Sequence, residues 1–203
     1  GDAKNVLVEP ILSEDIFVIG DSHAEHLVAG LSRLTTGEII ERVGAGCIPF
    51  LNVDRYDSRF VPGNCAKVMN ESLHEFATNK DQRIIILSAL GAVYLEGTPF
   101  RGKDRARVIG LGVELVDNPL ITDRWQVFEI GMRNTFRFLT ELDNRRVFFV
   151  IDIPELGIDY GCAKDRNQID LFGSVISDSD EGDPLECKIP RIEYDERAER
   201  YKN

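Results

Sequence analysis

The chain has 203 residues, with 35 acidic against 24 basic side chains, and the net charge of −11 opposes nonspecific attraction to nucleic acid or to anionic lipid surfaces. At 43% hydrophobic and 29% charged it can bury one sizeable core but is short for two, which predicts a single domain. No run approaches the ~20 apolar residues needed to span a bilayer, and the first residues lack the basic, apolar and small-residue segments of a signal peptide.

Residues 1–15 show no clear periodicity and read as a linker or cloning remnant, with the domain covering 16–203. Ile16 to Ile19 is a short continuous apolar run stopped by Gly20, as expected of a strand buried on both faces. From Ser22, the residues Leu27, Val28, Leu31 and Leu34 recur at helical spacing until Thr35-Thr36-Gly37. Glu38 to Val43 predicts a second strand entering the turn Gly44-Ala45-Gly46-Cys47. An irregular stretch rich in Asp, Asn and Pro follows, and then a helix marked by Met69, Leu73 and Phe76 that ends near Asn79. Arg83 to Ala89 is dominated by β-branched residues and predicts a strand at the sheet centre.

Gly97 to Thr122 has no sustained period and reads as a long loop. Its basic stretch, Arg101 to Arg107, contains an aspartate and no aromatic residue, which suits a solvated loop better than a ligand patch. Asp123 caps a third predicted helix with Trp125, Phe128, Met132, Thr135, Phe136, Leu139 and Leu142 on one face, a core stripe rather than a cofactor box. Arg146 to Ile153 is a further strand, ended by Pro154. Beyond it lie a polar excursion from Asp159 to Pro190 and a charged helix from Ile192 to Lys202. Buried strands alternating with crossover helices predict an α/β fold with a mainly parallel sheet covered on both faces. Ligands in such sheets bind beyond the carboxyl ends of the strands.

The four residues Gly20-Asp21-Ser22-His23 sit at such an end, where the first strand stops and a helix begins. A serine there lies beside unpaired N–H groups and the positive end of the helix dipole, so it can act as a nucleophile with part of an oxyanion hole built in. The plainer alternative is a cap, because Ser22-x-x-Glu25 is also a capping box.

The cysteines Cys47, Cys65, Cys162 and Cys187 include no C-x-x-C pair, which argues against a zinc ribbon and a thioredoxin-like site. An even count in segments rich in Gly, Pro and Asn suits disulfides. Of three connectivities the sequence-local one is adopted, Cys47–Cys65 with Cys162–Cys187, which implies an oxidising compartment.

The string Gly20-Asp21-Ser22-His23 resembles block I of the SGNH/GDSL hydrolase superfamily, and its continuation Ala24-Glu25-His26-Leu27 is similar to the SGNH domains fused to acyltransferase family 3 membrane proteins. Those proteins O-acetylate cell-surface polysaccharides. The resemblance runs from about Ile16 to the end of the chain and implies a three-layer α/β/α fold of SGNH-hydrolase, flavodoxin-like type. It makes Ser22 the nucleophile and an oxyanion donor through its amide, Gly46 the block II glycine whose amide joins the hole, and Asp21 a structural aspartate that orders the turn. In the resembled domains a cysteine also follows the block II glycine, and another precedes the next helix. Where block III places Gly-x-Asn-Asp, this chain has Ser88-Ala89-Leu90-Gly91, so the asparagine donor is missing.

Block V supplies Asp-x-x-His, the general base and its orienting partner, and no such string occurs in these residues. The expectation is a chain truncated before that block and nearly inert alone. Of the three histidines, His26, one turn after Ser22, is a weak substitute base, while His23 reads as a rim residue of the motif and His74 as structural. No metal site is expected, since Asp178, Asp180, Glu181 and Asp183 lack EF-hand order.

The resemblance thus implies an extracytoplasmic, periplasmic domain of an O-acyltransferase whose upstream multi-helix membrane domain delivers an acyl group derived from acetyl-CoA to a surface glycan acceptor. It implies no cofactor in this domain and no nucleic-acid partner. An SGNH-type carbohydrate esterase and a noncatalytic glycan-binding or interaction module are the alternatives, since the same serine and fold serve the first and loss of the base permits the second.

Overall fold

The first apolar run forms β1 (Ile16–Gly20), and every one of its residues is buried. The computed structural model describes residues 12–57, 61–97 and 111–150, together with positions 192, 195, 196 and 199. After β1 come α1 (Ser22–Leu31), β2 (Ile39–Val43), β3 (Val53–Tyr56), α2 (Asn64–Thr78), β4 (Ile84–Ser88), α3 (Gly91–Glu96), β5 (Gly112–Leu115), α4 (Arg124–Thr140) and β6 (Arg146–Val150).

Strands β2, β1, β4 and β6 form, in that order, a parallel sheet with β1 and β4 inside it. The register pairs Gly20 with Val43 on one side and with Ser88 on the other, so these three strands end level with one another. Alternate side chains of β1 and β4 serve opposite faces. Phe17, Ile19, Ile85 and Leu87 pack with Met69, Leu73 and Phe76 of α2 and Leu139 of α4. Ile16, Val18, Ile84 and Ile86 pack with Ala24, Leu27, Val28 and Leu31 of α1. This is the expected α/β/α layering.

A third cluster lies beyond the carboxyl ends of the strands, where Ile48 and Phe50 meet Val93, Tyr94, Val113, Leu115, Val127 and Phe128. Its framework is an antiparallel ribbon of β3 and β5, with Val53 opposite Leu115 and Tyr56 opposite Gly112. Both strands correct the sequence reading, in which 53–56 was irregular and 112–115 part of a long loop. The missing signal is an apolar run: Asp54 and Arg55 occupy the middle of β3, and both are buried. Asp54 is buried because it accepts from Gly63 N at 2.5 Å and Ala66 N at 3.1 Å, satisfying donors at the start of α2 that the preceding Gly63 cannot reach with a side chain.

Residues 12–15 also differ from the linker reading. Leu12 bridges to Thr35, Thr35 Oγ1 donates to the Glu14 carbonyl at 2.8 Å, and the Asp15 carboxylate accepts from Glu38 N at 2.7 Å. The Cys47–Cys65 disulfide is present, with Cα atoms 5.2 Å apart, and it ties the loop after β2 to the start of α2. Cys162 and Cys187 lie outside the described residues, as do the acidic stretch 178–183 and the basic stretch 101–107. The described positions of the expected last helix, Ile192, Asp195, Glu196 and Glu199, are helical.

Candidate active site

Ser22 is exposed at the carboxyl edge of the sheet, as the first residue of α1. The cap is Asp21, whose extended backbone and side chain satisfy the amide of His23 at 2.8 Å. The capping-box alternative for Ser22 therefore fails, because its neighbour already does that work. Among the described residues neither the Ser22 hydroxyl nor its amide makes a hydrogen bond. A first-turn N–H has no intrahelical acceptor, so this donor remains available.

Asp21 is 2% exposed and fully engaged. One carboxylate oxygen accepts from His23 N; the other accepts from Leu90 N at 3.0 Å and from the Tyr94 hydroxyl at 2.9 Å. The latter two bonds join the end of β1 to the segment that follows β4. Leu90 holds the position where block III would place an asparagine, and its amide points back to Asp21. Neither its side chain nor its amide is left to serve an oxyanion.

Gly46 lies in the turn after β2 with φ +69°, a left-handed conformation that glycine adopts at no steric cost. The turn is pinned at both ends, since Gly44 N donates to the Gly20 carbonyl at 2.9 Å and Cys47 N to the Gly44 carbonyl at 2.8 Å. The Gly46 carbonyl accepts from Arg55 Nη1 at 3.0 Å, whereas its amide makes no hydrogen bond among the described residues. The structure thus brings Ser22, Asp21 and the Gly46 turn together at one sheet edge.

His26 is exposed, its ring centroid lies 5.8 Å from that of His23, and no hydrogen bond joins it to Ser22 among the described residues. His74 sits on α2 with its ring edge-on to Phe138 at 5.2 Å. Among the described residues no group of three or more His, Cys, Asp or Glu is placed to hold a metal ion.

Two buried groups of the site, Tyr94 and Arg55, escaped the sequence reading. Burial pushes the Tyr94 hydroxyl well above its ordinary 10.0, and the charge of Asp21 and the bond to it push the same way, while Arg55 opposes. A hydroxyl whose folded pKa is raised stabilises the fold fully below the unfolded value and loses that contribution as pH rises through the folded one. Stability should therefore fall more steeply as pH rises above about 10 in the wild type than in Tyr94→Phe. Urea midpoints of the two proteins across that window check this; parallel curves would show that Tyr94 carries no such linkage.

A parallel α/β sheet with an exposed serine opening the helix after its first strand defines an SGNH-hydrolase-like domain. The chain belongs to the family of SGNH domains fused to AT3 domains, whose model matches residues 4–203. A search of curated proteins returns no match. Among solved structures, the periplasmic domain of the lipopolysaccharide acetyltransferase of Salmonella ser. Paratyphi A is similar at 15% identity with a TM-score of 0.40, over 70% of this chain and 46% of that one. The present chain thus spans less than half the length of that relative. No helix among the described residues is long and apolar enough to cross a membrane.

Proposed function

We propose that this domain receives an acyl group, most simply acetyl, on Ser22 and passes it to a hydroxyl of a cell-surface polysaccharide on the extracytoplasmic side of the membrane. The observation that carries the reading is the exposed Ser22 at the sheet's carboxyl edge, whose hydroxyl and amide make no hydrogen bond among the described residues, with the Gly46 turn at the same edge. Fusion to AT3 domains within the family supports acyl transfer and supplies a membrane partner domain to deliver the acyl group. The Cys47–Cys65 disulfide supports an oxidising compartment.

In the proposed chemistry Ser22 Oγ adds to the donor carbonyl carbon as a general base removes its proton, and the Ser22 and Gly46 amides bind the resulting oxyanion. The bond to the donor's leaving group breaks, the leaving group takes the proton, and an acyl ester remains on Ser22. A sugar hydroxyl then adds to that ester, gives its proton to the base, and Ser22 Oγ departs with the proton returned. Asp21 orders the turn through its bonds to the His23 and Leu90 amides and the Tyr94 hydroxyl. No Asp-x-x-His string occurs in these 203 residues, so the reading assigns the base to a residue outside them.

In cells expressing the full reading frame, Ser22→Ala should lower acetyl transfer to the polysaccharide by about 10⁴-fold or more. Full O-acetylation by that variant would exclude the serine. The 203-residue chain alone should barely turn over an activated acetyl ester, since an unassisted serine is a poor nucleophile.

A further inference from the structure

One buried cation beside the site takes no part in the acyl transfer itself. Arg55, in the middle of β3, is 6% exposed. Its Nε and Nη2 donate to Asp57 Oδ2 at 3.1 and 2.7 Å, and its Nη1 donates to the Gly46 carbonyl at 3.0 Å. Its charge also acts on the Tyr94 hydroxyl, favouring the ionised form, and that hydroxyl donates to Asp21 at 2.9 Å. One side chain thus holds the block II turn and acts electrostatically on the group bonded to the aspartate of the Gly20-Asp21-Ser22-His23 motif.

The consequence follows from peptide geometry. The Gly46 carbonyl belongs to the peptide joining Gly46 to Cys47, and the Gly46 N–H belongs to the preceding one, joining Ala45 to Gly46. Arg55 fixes the first plane through a charge-assisted bond, and that plane is held again by Cys47 N on the Gly44 carbonyl and by the Cys47–Cys65 disulfide. With that plane fixed, ψ and the φ of +69° at Gly46 together set the direction of the amide. Glycine resists rotation about these bonds less than any other residue, so the Arg55 bond adds a third restraint on the peptide to the two that Cys47 supplies.

We propose that Arg55 is a positioning residue of the acyl-transfer site, holding the Gly46 peptide so that its amide faces the oxyanion; the inference rests on the Ser22 reading given above. Lysine separates this role from simple charge balance. A single ammonium keeps a positive charge opposite Asp57, but it lacks the fork that spans Asp57 and Gly46 together.

The test uses the full-length protein, with its AT3 domain, in membrane vesicles supplied with acetyl-labelled acetyl-CoA and the host's own polysaccharide. Arg55→Lys should lower kcat about a hundredfold, with KM for the polysaccharide unchanged within about twofold, as for loss of an oxyanion donor. The paired variant Arg55→Met/Asp57→Asn, which removes both charges, should show the same loss at wild-type abundance. Wild-type kcat in either variant, while Ser22→Ala is inactive, overturns the inference and leaves the Ser22 reading standing. Absence of both variants from the membrane would mark Arg55 as a folding residue and also overturn it. Full transfer by Ser22→Ala would instead overturn the Ser22 reading and this inference with it.

Discussion

Gly20→Ala should leave little folded protein. A Cβ on Gly20 would stand 1.7 Å from the Ser88 carbonyl oxygen and 2.9 Å from the Ala24 Cβ. Neither neighbour can retreat cheaply, since Ser88 ends a central strand paired in register with β1 and Ala24 lies in the first turn of α1. Relief requires β1 and β4 to part at the edge where Asp21 N reaches the Ser88 carbonyl, which displaces the motif and the sheet together. We expect a loss above about 4 kcal/mol, a large share of the stability of a domain of this size. Gly30→Ala is the matched control: it is an exposed helical position where a Cβ meets nothing within 4 Å, and helix propensity should make the change neutral to stabilising by about 1 kcal/mol. Urea unfolding followed by circular dichroism checks the pair; a folded Gly20→Ala with a wild-type midpoint would contradict the packing described.

Asp21→Ala should cost about 3 to 5 kcal/mol, from loss of a helix cap and from stranding two donors, the Leu90 amide and the buried Tyr94 hydroxyl. Asp21→Asn should fall between the wild type and alanine. Both carboxylate oxygens act only as acceptors here, so an amide must turn its NH₂ toward at least one donor. Equal midpoints for Asn and wild type would show that the carboxylate is not needed at both ends. Because the second oxygen reaches 69 and 73 residues along the chain, the loss should appear as global unfolding rather than as fraying of α1.

The sheet was legible because its strands are apolar on both faces: Ile16 to Ile19 and Ile84 to Ser88 are short, continuous and bounded by turn residues. The α4 stripe was legible from its helical period, Trp125, Phe128, Met132, Thr135, Phe136, Leu139 and Leu142 with Asp123 as its cap, and the structure buries Phe128, Thr135 and Leu139 of that face. The β3–β5 ribbon was not, because its central charges are buried by partners that no sequence period marks: Asp54 by the amides of Gly63 and Ala66 at the start of α2, and Arg55 by Asp57 and the Gly46 carbonyl. A charged dipeptide between loops ordinarily reads as surface. The site was half legible. The motif singled out Ser22 and the resemblance Gly46, and the structure places both at one sheet edge, but nothing local distinguishes Asp21 from Ser22 as the cap when both are good caps. The difference lies in the second carboxylate oxygen, whose donors come from the segment after β4. The short helix α3 starts after a tight turn at Leu90 without a side-chain cap, so no start signal marks it.

The central claim is that Ser22 carries the acyl group, and the direct measurement is mass spectrometry of the full-length protein after exposure to acetyl-labelled donor without polysaccharide. The account predicts the label on the peptide containing Ser22, its discharge when polysaccharide is added, and its absence in Ser22→Ala. Continued transfer with the label on another residue, or on no residue of this domain, would contradict it.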